Sequence, residues 1–111
     1  MPEQKVLIQK KEPLCTFTMN APKKMNALAR EMLLSLEADF NDVVADRNSR
    51  VVVLEGAGGN FCSGAELSLL GSGITAEDAY REMLRIGRLI KSMREIPQPV
   101  ICRVRSVANG G

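Results

Sequence analysis

Four strand formers and then, after a single glutamate, three glycines in four positions constrain this chain more than any other stretch. Val51-Val52-Val53-Leu54 is wholly apolar and mostly β-branched, and it reads as a buried strand. Gly56, Gly58 and Gly59 end that strand, because glycine tolerates positive φ and lets another backbone or a ligand come close. Phe61 and Cys62 return to apolar character, and Gly64 permits one more sharp turn. Ala65-Glu66-Leu67 then reads as the first turn of a helix, where backbone N–H groups have no partner within the helix. A strand, a glycine loop and a helix N-terminus in succession make a site suited to negative charge.

The flanking segments read as the layers that hold this loop. Lys5 to Lys11 alternates weakly, Glu12-Pro13 turns, and Leu14 to Met19 alternates again, which predicts an antiparallel hairpin. In the second strand Cys15, Phe17 and Met19 share one face, while Leu14, Thr16 and Thr18 share the other. Asn20 to Lys24 is a turn by composition. A helix is expected over about Ala29 to Ala45, with Met32, Leu36, Phe40 and Val43 at helical spacing and Asp46 to Ser49 closing it. Gly71-Ser72-Gly73 marks a flexible tip. Thr75 is a candidate N-cap with Asp78 three residues on, opening a helix from Ala76 to about Arg94. Its expected inner positions are Ala79, Met83, Ile86, Ile90 and Met93. Pro97 and Pro99 bracket a linker, and Val100 to Val104 reads as another buried strand. Strands alternating with long helices favour parallel pairing and an α/β layered architecture.

Bulk properties narrow the function by exclusion. At 111 residues the chain is one domain at most, and a net charge of +2 argues against nucleic acid as a partner. No segment approaches the ~20 apolar residues that span a membrane, and the N-terminus lacks a signal-peptide run. With no histidine, no Ser-His or Cys-His catalytic pair exists. The three cysteines Cys15, Cys62 and Cys102 lack metal-ligand spacing, so no metal site is expected; reduced, buried thiols in a soluble, cytoplasmic protein are. A dinucleotide fingerprint fits Gly56 and Gly58, but Phe61 fills the position where close helix–strand packing needs a small residue.

Three ordered segments resemble the enoyl-CoA hydratase/isomerase family, the crotonase superfamily. Ala21 to Leu28 (APKKMNAL) is similar to the family's lead into its first helix, with Ala21 where arginine is usual. Gly56 to Leu67 is similar to its glycine loop, with Glu66 where aspartate is commoner. Pro97 to Gly111 is similar to its following strand and glycine turn, with Arg105 where asparagine and Ser106 where glycine is usual. The resemblance implies the crotonase-like ββα spiral core, of which residues 1–111 are expected to be the N-terminal portion, the remainder of the domain being absent. It implies an acyl-CoA thioester as ligand, no separate cofactor, and a homo-oligomer, a trimer or a pair of trimers.

The same resemblance implies the chemistry. Backbone N–H groups of Ala65 and Gly111 are the matched oxyanion donors, holding the thioester oxygen as it gains charge. Lys24, Met25, Ala27, Gly64, Ala65, Glu66, Leu67, Ser68 and Gly111 are the matched substrate-binding positions. The expected reactions are hydration of a 2-enoyl-CoA or a shift of its double bond. The family's acid/base residues lie mainly beyond the second glycine turn, so the 111 residues alone are expected to be inactive. Glu66 reads as a charge stabilising its helix N-terminus rather than as the base. Lys23 and Lys24 read as solvated turn residues that could meet CoA phosphates, and Arg81, Arg85 and Arg88 as a basic surface stripe supported by Glu77. The alternative is a non-catalytic CoA-binding or assembly module on the same fold.

Overall fold

The computed structural model describes residues 4–64, 75–106 and 108. Strand β1 (Val6–Lys11) and strand β2 (Leu14–Met19) form the expected antiparallel hairpin, with Val6 opposite Met19 and Lys11 opposite Leu14. Helix α1 (Arg30–Val43) crosses to strand β3 (Val51–Gly56), which runs parallel to β2 with Leu14 beside Val51. Helix α2 (Ala76–Glu95) crosses to strand β4 (Val100–Cys102), parallel to β3. The sheet order is therefore β1-β2-β3-β4, with the two helices packed on each other.

The period-two pattern places the core. Cys15, Phe17 and Met19 of β2 and Val52 and Leu54 of β3 are buried on one face. Against them α1 sets Met32, Leu33, Leu36, Phe40 and Val43. The Phe17 and Phe40 rings meet edge to face, 5.0 Å between centroids. Val51 and Val53 are only half-buried, so β3 is covered on one face rather than on both. The turn after α1 is held as its composition suggested. Asp46 accepts from the Asn48 amide at 3.1 Å and from Ser49 Oγ at 2.8 Å, and pairs with Lys10 at 2.9 Å. These contacts, the Lys10 and Ser49 bonds foremost, hold its carboxyl down at about 2. Gln98 Nε2 donates to the carbonyls of Val43 and Ser49, tying the end of α1 to the approach of β4.

Three expectations are corrected. The inner face of α2 carries Glu82, Ile86 and Leu89 with Met93 half-buried, whereas Met83 and Ile90 are exposed. This helix has apolar residues around much of its circumference, so two stripes share Ile86 and Met93 and spacing alone does not choose between them. Nor do the arginines form one surface stripe. Arg81 bonds Glu77 at 2.7 Å, but Arg85 folds against buried Glu82 at 3.7 Å. Finally, the expected strand over Val100 to Val104 stops at Cys102, leaving Val104 exposed beyond it, and β4 is an edge strand, so Ile101 is exposed and Cys102 is an exposed thiol. The Thr75 cap is as expected, its Oγ accepting from the Asp78 amide at 3.1 Å.

Because Phe40 is fully enclosed and Leu34 on the same helix is 44% exposed, the two should respond differently to truncation. Phe40→Ala is expected to lower unfolding free energy by about 3–5 kcal/mol and Leu34→Ala by less than about 1, both read by urea denaturation.

Candidate functional site

Two loops meet at the ends of β2 and β3, and their hydrogen bonds build the site. The lead-in loop begins after β2, passes a short 3-10 turn at Pro22–Lys24, and then takes left-handed backbone at two successive residues, Met25 (φ 51°) and Asn26 (φ 55°). Asparagine tolerates that region and methionine does not, so something must hold the loop there. Asn26 does so. Its backbone N–H donates to Ala21 O at 2.9 Å, and its Oδ1 accepts from Ala21 N at 2.8 Å. Its Nδ2 donates to the carbonyls of Ala57 and Asn60, each at 2.9 Å. The side chain is wholly buried and both amide hydrogens are used.

The glycine loop is shaped to accept this clasp. A Cβ on Gly56 would sit 2.1 Å from Asn60 O and 2.6 Å from Asn26 Nδ2. Gly58 has φ 79°, and a Cβ there would meet the Pro22 ring at 2.6 Å. Gly58 is thus required by close approach of the two loops, and Gly56 by the tight fold of its own loop together with the Asn26 side chain. Beyond the clasp, Ser63 N donates to Met25 O at 3.0 Å and Ser63 Oγ to Lys24 O at 3.2 Å. Leu28 N donates to Gly64 O at 2.7 Å. Gly64 itself has φ 94°, and its N–H donates to Cys62 Sγ at 3.3 Å. Burial pushes the Cys62 thiol up, the Gly64 amide opposing it, so the sulfur is a neutral acceptor and a packing atom, as the sequence suggested.

The third segment joins on the other side. After β4, Arg105 O accepts from Phe61 N at 3.1 Å, and Cys62 forms a parallel bridge with Ala108. An apolar cavity of about 210 Å³ opens beside this junction. Leu28, Phe61 and Cys62 line it on the loop side, and Leu36, Ile86 and Leu89 on the helix side.

Of the positions named from sequence, Lys24, Met25, Ala27 and Gly64 are brought together around this contact. Met25 is exposed and Ala27 buried. Ala65, Glu66, Leu67, Ser68, Gly111 and the expected tip at Gly71-Ser72-Gly73 lie outside the described residues. Asn26 and the Leu28 amide were not singled out as functional. The available signal for Asn26 was a polar residue set between apolar Met25 and Ala27-Leu28. Among the described residues no cluster could hold a metal and no helix is long and apolar enough to cross a membrane.

A family model described as enoyl-CoA hydratase/isomerase matches residues 9–111. The chain belongs to the enoyl-CoA hydratase/isomerase family. A Mycobacterium leprae relative named "Probable enoyl-CoA hydratase" is 36% identical over 86% of this chain and 34% of its own length. The enoyl-CoA hydratase of Bacillus anthracis superposes with a TM-score of 0.89 at 26% identity, over 95% of this chain and 41% of that one. That of Mycobacterium smegmatis gives 0.86 at 31% identity, over 92% and 40%. The chain thus spans less than half the length of these relatives, and its fold is that of the crotonase-fold hydratases over the shared part. Two departures from the family pattern have a physical reading here. Ser106 takes left-handed backbone (φ 52°), which is why glycine suits that position. Arg105 serves the site through its carbonyl, which any residue supplies.

The thiols give a check on this geometry. In the native protein Cys102 is expected to react with an aromatic disulfide reagent well before Cys62, which is 4% exposed and packed inside the loop contact. Loss of the Cys102→Ser thiol should remove the fast phase, and equal reactivity of Cys62 would show the loops apart.

Proposed function

We propose that this chain binds the thioester of an acyl-CoA, with the backbone N–H groups of Ala65 and Gly111 converging on the thioester oxygen. One observation carries the reading. The parallel bridge joins Cys62, three residues before Ala65, to Ala108, three residues before Gly111. The bridge thus sets side by side the two segments from which the matched donor positions follow at equal distances in sequence.

Backbone amides held in place need no reorganisation as an enolate-like oxygen gains charge, and one such donor is typically worth about 3 kcal/mol. The remaining matched positions, Lys24, Met25, Ala27, Gly64, Glu66, Leu67 and Ser68, are assigned to holding the ligand around that oxygen. The apolar cavity beside Leu28 and Cys62 suits the hydrocarbon part of the acyl group. The reaction assigned to the longer family members, and proposed for a protein containing this segment, is hydration or isomerisation of a 2-enoyl-CoA. Residues 1–111 contain no match to the family's acid/base glutamates, so this chain by itself is assigned binding without turnover. Hydration of 2-butenoyl-CoA by it at the rate of a full-length relative would contradict that assignment.

Calorimetric titration tests the binding. The chain is expected to hold 2-butenoyl-CoA at least about tenfold more tightly than an analogue whose thioester carbonyl is reduced to methylene, a difference of about 1.4 kcal/mol. Gly64→Ala, strained at φ 94°, is expected to erase that preference. Equal affinity for thioester and analogue in the unaltered chain overturns the proposal.

A further inference from the structure

We infer that Asn26 is the positioning residue of the oxyanion amide in the glycine loop, an inference that rests on the two-amide reading above. The route is a chain of backbone contacts. Asn26 closes the lead-in loop on itself through both backbone groups of Ala21. Its two amide hydrogens then hold the glycine loop at Ala57 and Asn60. With the loops at that separation, the Leu28 amide reaches Gly64 O at 2.7 Å. A trans peptide holds its C=O and its N–H in one plane, pointing in opposite directions. Whatever fixes the Gly64 carbonyl therefore fixes the direction of the amide that follows it. Gly64 N is held as well, on Cys62 Sγ at 3.3 Å, so both sides of this glycine are anchored.

The clasp also accounts for backbone that is otherwise unfavourable. Met25 and Asn26 both have positive φ, a conformation non-glycine residues adopt at some cost, and such residues persist where the surroundings over-determine them. Here the over-determination is the set of hydrogen bonds that Asn26 makes. Relaxing it releases the turn and, through Leu28, the plane of the Gly64 peptide. No atom of Asn26 needs to touch the substrate for this role.

Two variants separate positioning from folding. Asn26→Gly removes the side chain yet accepts positive φ, so the turn remains accessible. Asn26→Asp keeps an acceptor for Ala21 N but faces the carbonyls of Ala57 and Asn60 with oxygen. Two readouts are taken on each. Amide hydrogen exchange followed by NMR is expected to accelerate at least about tenfold at Leu28 and Ser63 in both variants, with Leu36 and Phe40 in α1 unchanged. The infrared carbonyl stretch of 2-butenoyl-CoA labelled with carbon-13 at C1 is expected to fall in frequency on binding the unaltered chain. Both variants are expected to lose at least about half of that fall while still binding. Retained protection of the Leu28 amide in both variants overturns the positioning role, as does a full carbonyl shift in both. A bound thioester whose stretch does not move in the unaltered chain overturns the two-amide reading instead, and exchange at Leu28 still decides whether Asn26 sets the loop.

Discussion

A buried primary amide joins two turns, and the arrangement of this protein depends on it. Asn26 is fully enclosed, and it spends both of its N–H donors on carbonyls of the glycine loop. Removing one partner of such a buried bond leaves the other unsatisfied, at a typical cost of about 1–3 kcal/mol. Here two carbonyls and the Ala21 amide would lose their partner together. Each neighbouring feature is a consequence of that closeness. Gly58 lacks a side chain because Pro22 of the opposing loop occupies the space, Gly56 because carbonyls of its own loop and Asn26 Nδ2 crowd it together, and Ser63 and Leu28 find partners because the loops run at hydrogen-bonding distance.

The sheet supplies the platform for this contact. Two successive parallel crossovers, β2 to β3 and β3 to β4, place the exits of β2, β3 and β4 at one edge. Each of the three motif segments leaves from one of those exits. In open α/β sheets ligands gather at the carboxyl ends of parallel strands, where loops rather than ladders fill the hydrogen-bonding groups. The bridge between Cys62 and Ala108 extends the β3–β4 pairing past the regular strands and into the loops themselves.

Much of the fold was legible in the sequence because its elements are strongly patterned. The hairpin, both helices and the inward set Cys15, Phe17 and Met19 follow directly from spacing. What was not legible is what needs a third dimension. The inner face of α2 turned on whether Met83 or Glu82 looks inward, and apolar spacing is ambiguous where the apolar face is wider than the stripe that is buried. The solvent exposure of Ile101 and Cys102 followed from β4 lying at the sheet's edge, and a short apolar run reads the same at an edge or in the middle. The site was legible as three motifs in order, and their resemblance to a family named the candidate peptide groups. Asn26 was hidden because it holds backbone carbonyls 31 and 34 residues away in sequence, about 100 Å of fully extended chain, and no local periodicity marks such partners.

The account stands or falls on two peptide amides acting on one oxygen. An NMR titration of the nitrogen-15-labelled chain observes both at once. Added 2-butenoyl-CoA is predicted to move the amide protons of Ala65 and Gly111 downfield together, saturating at the same concentration, while CoA without an acyl group leaves both in place. Movement of one amide without the other, or of neither while the ligand binds, would contradict it.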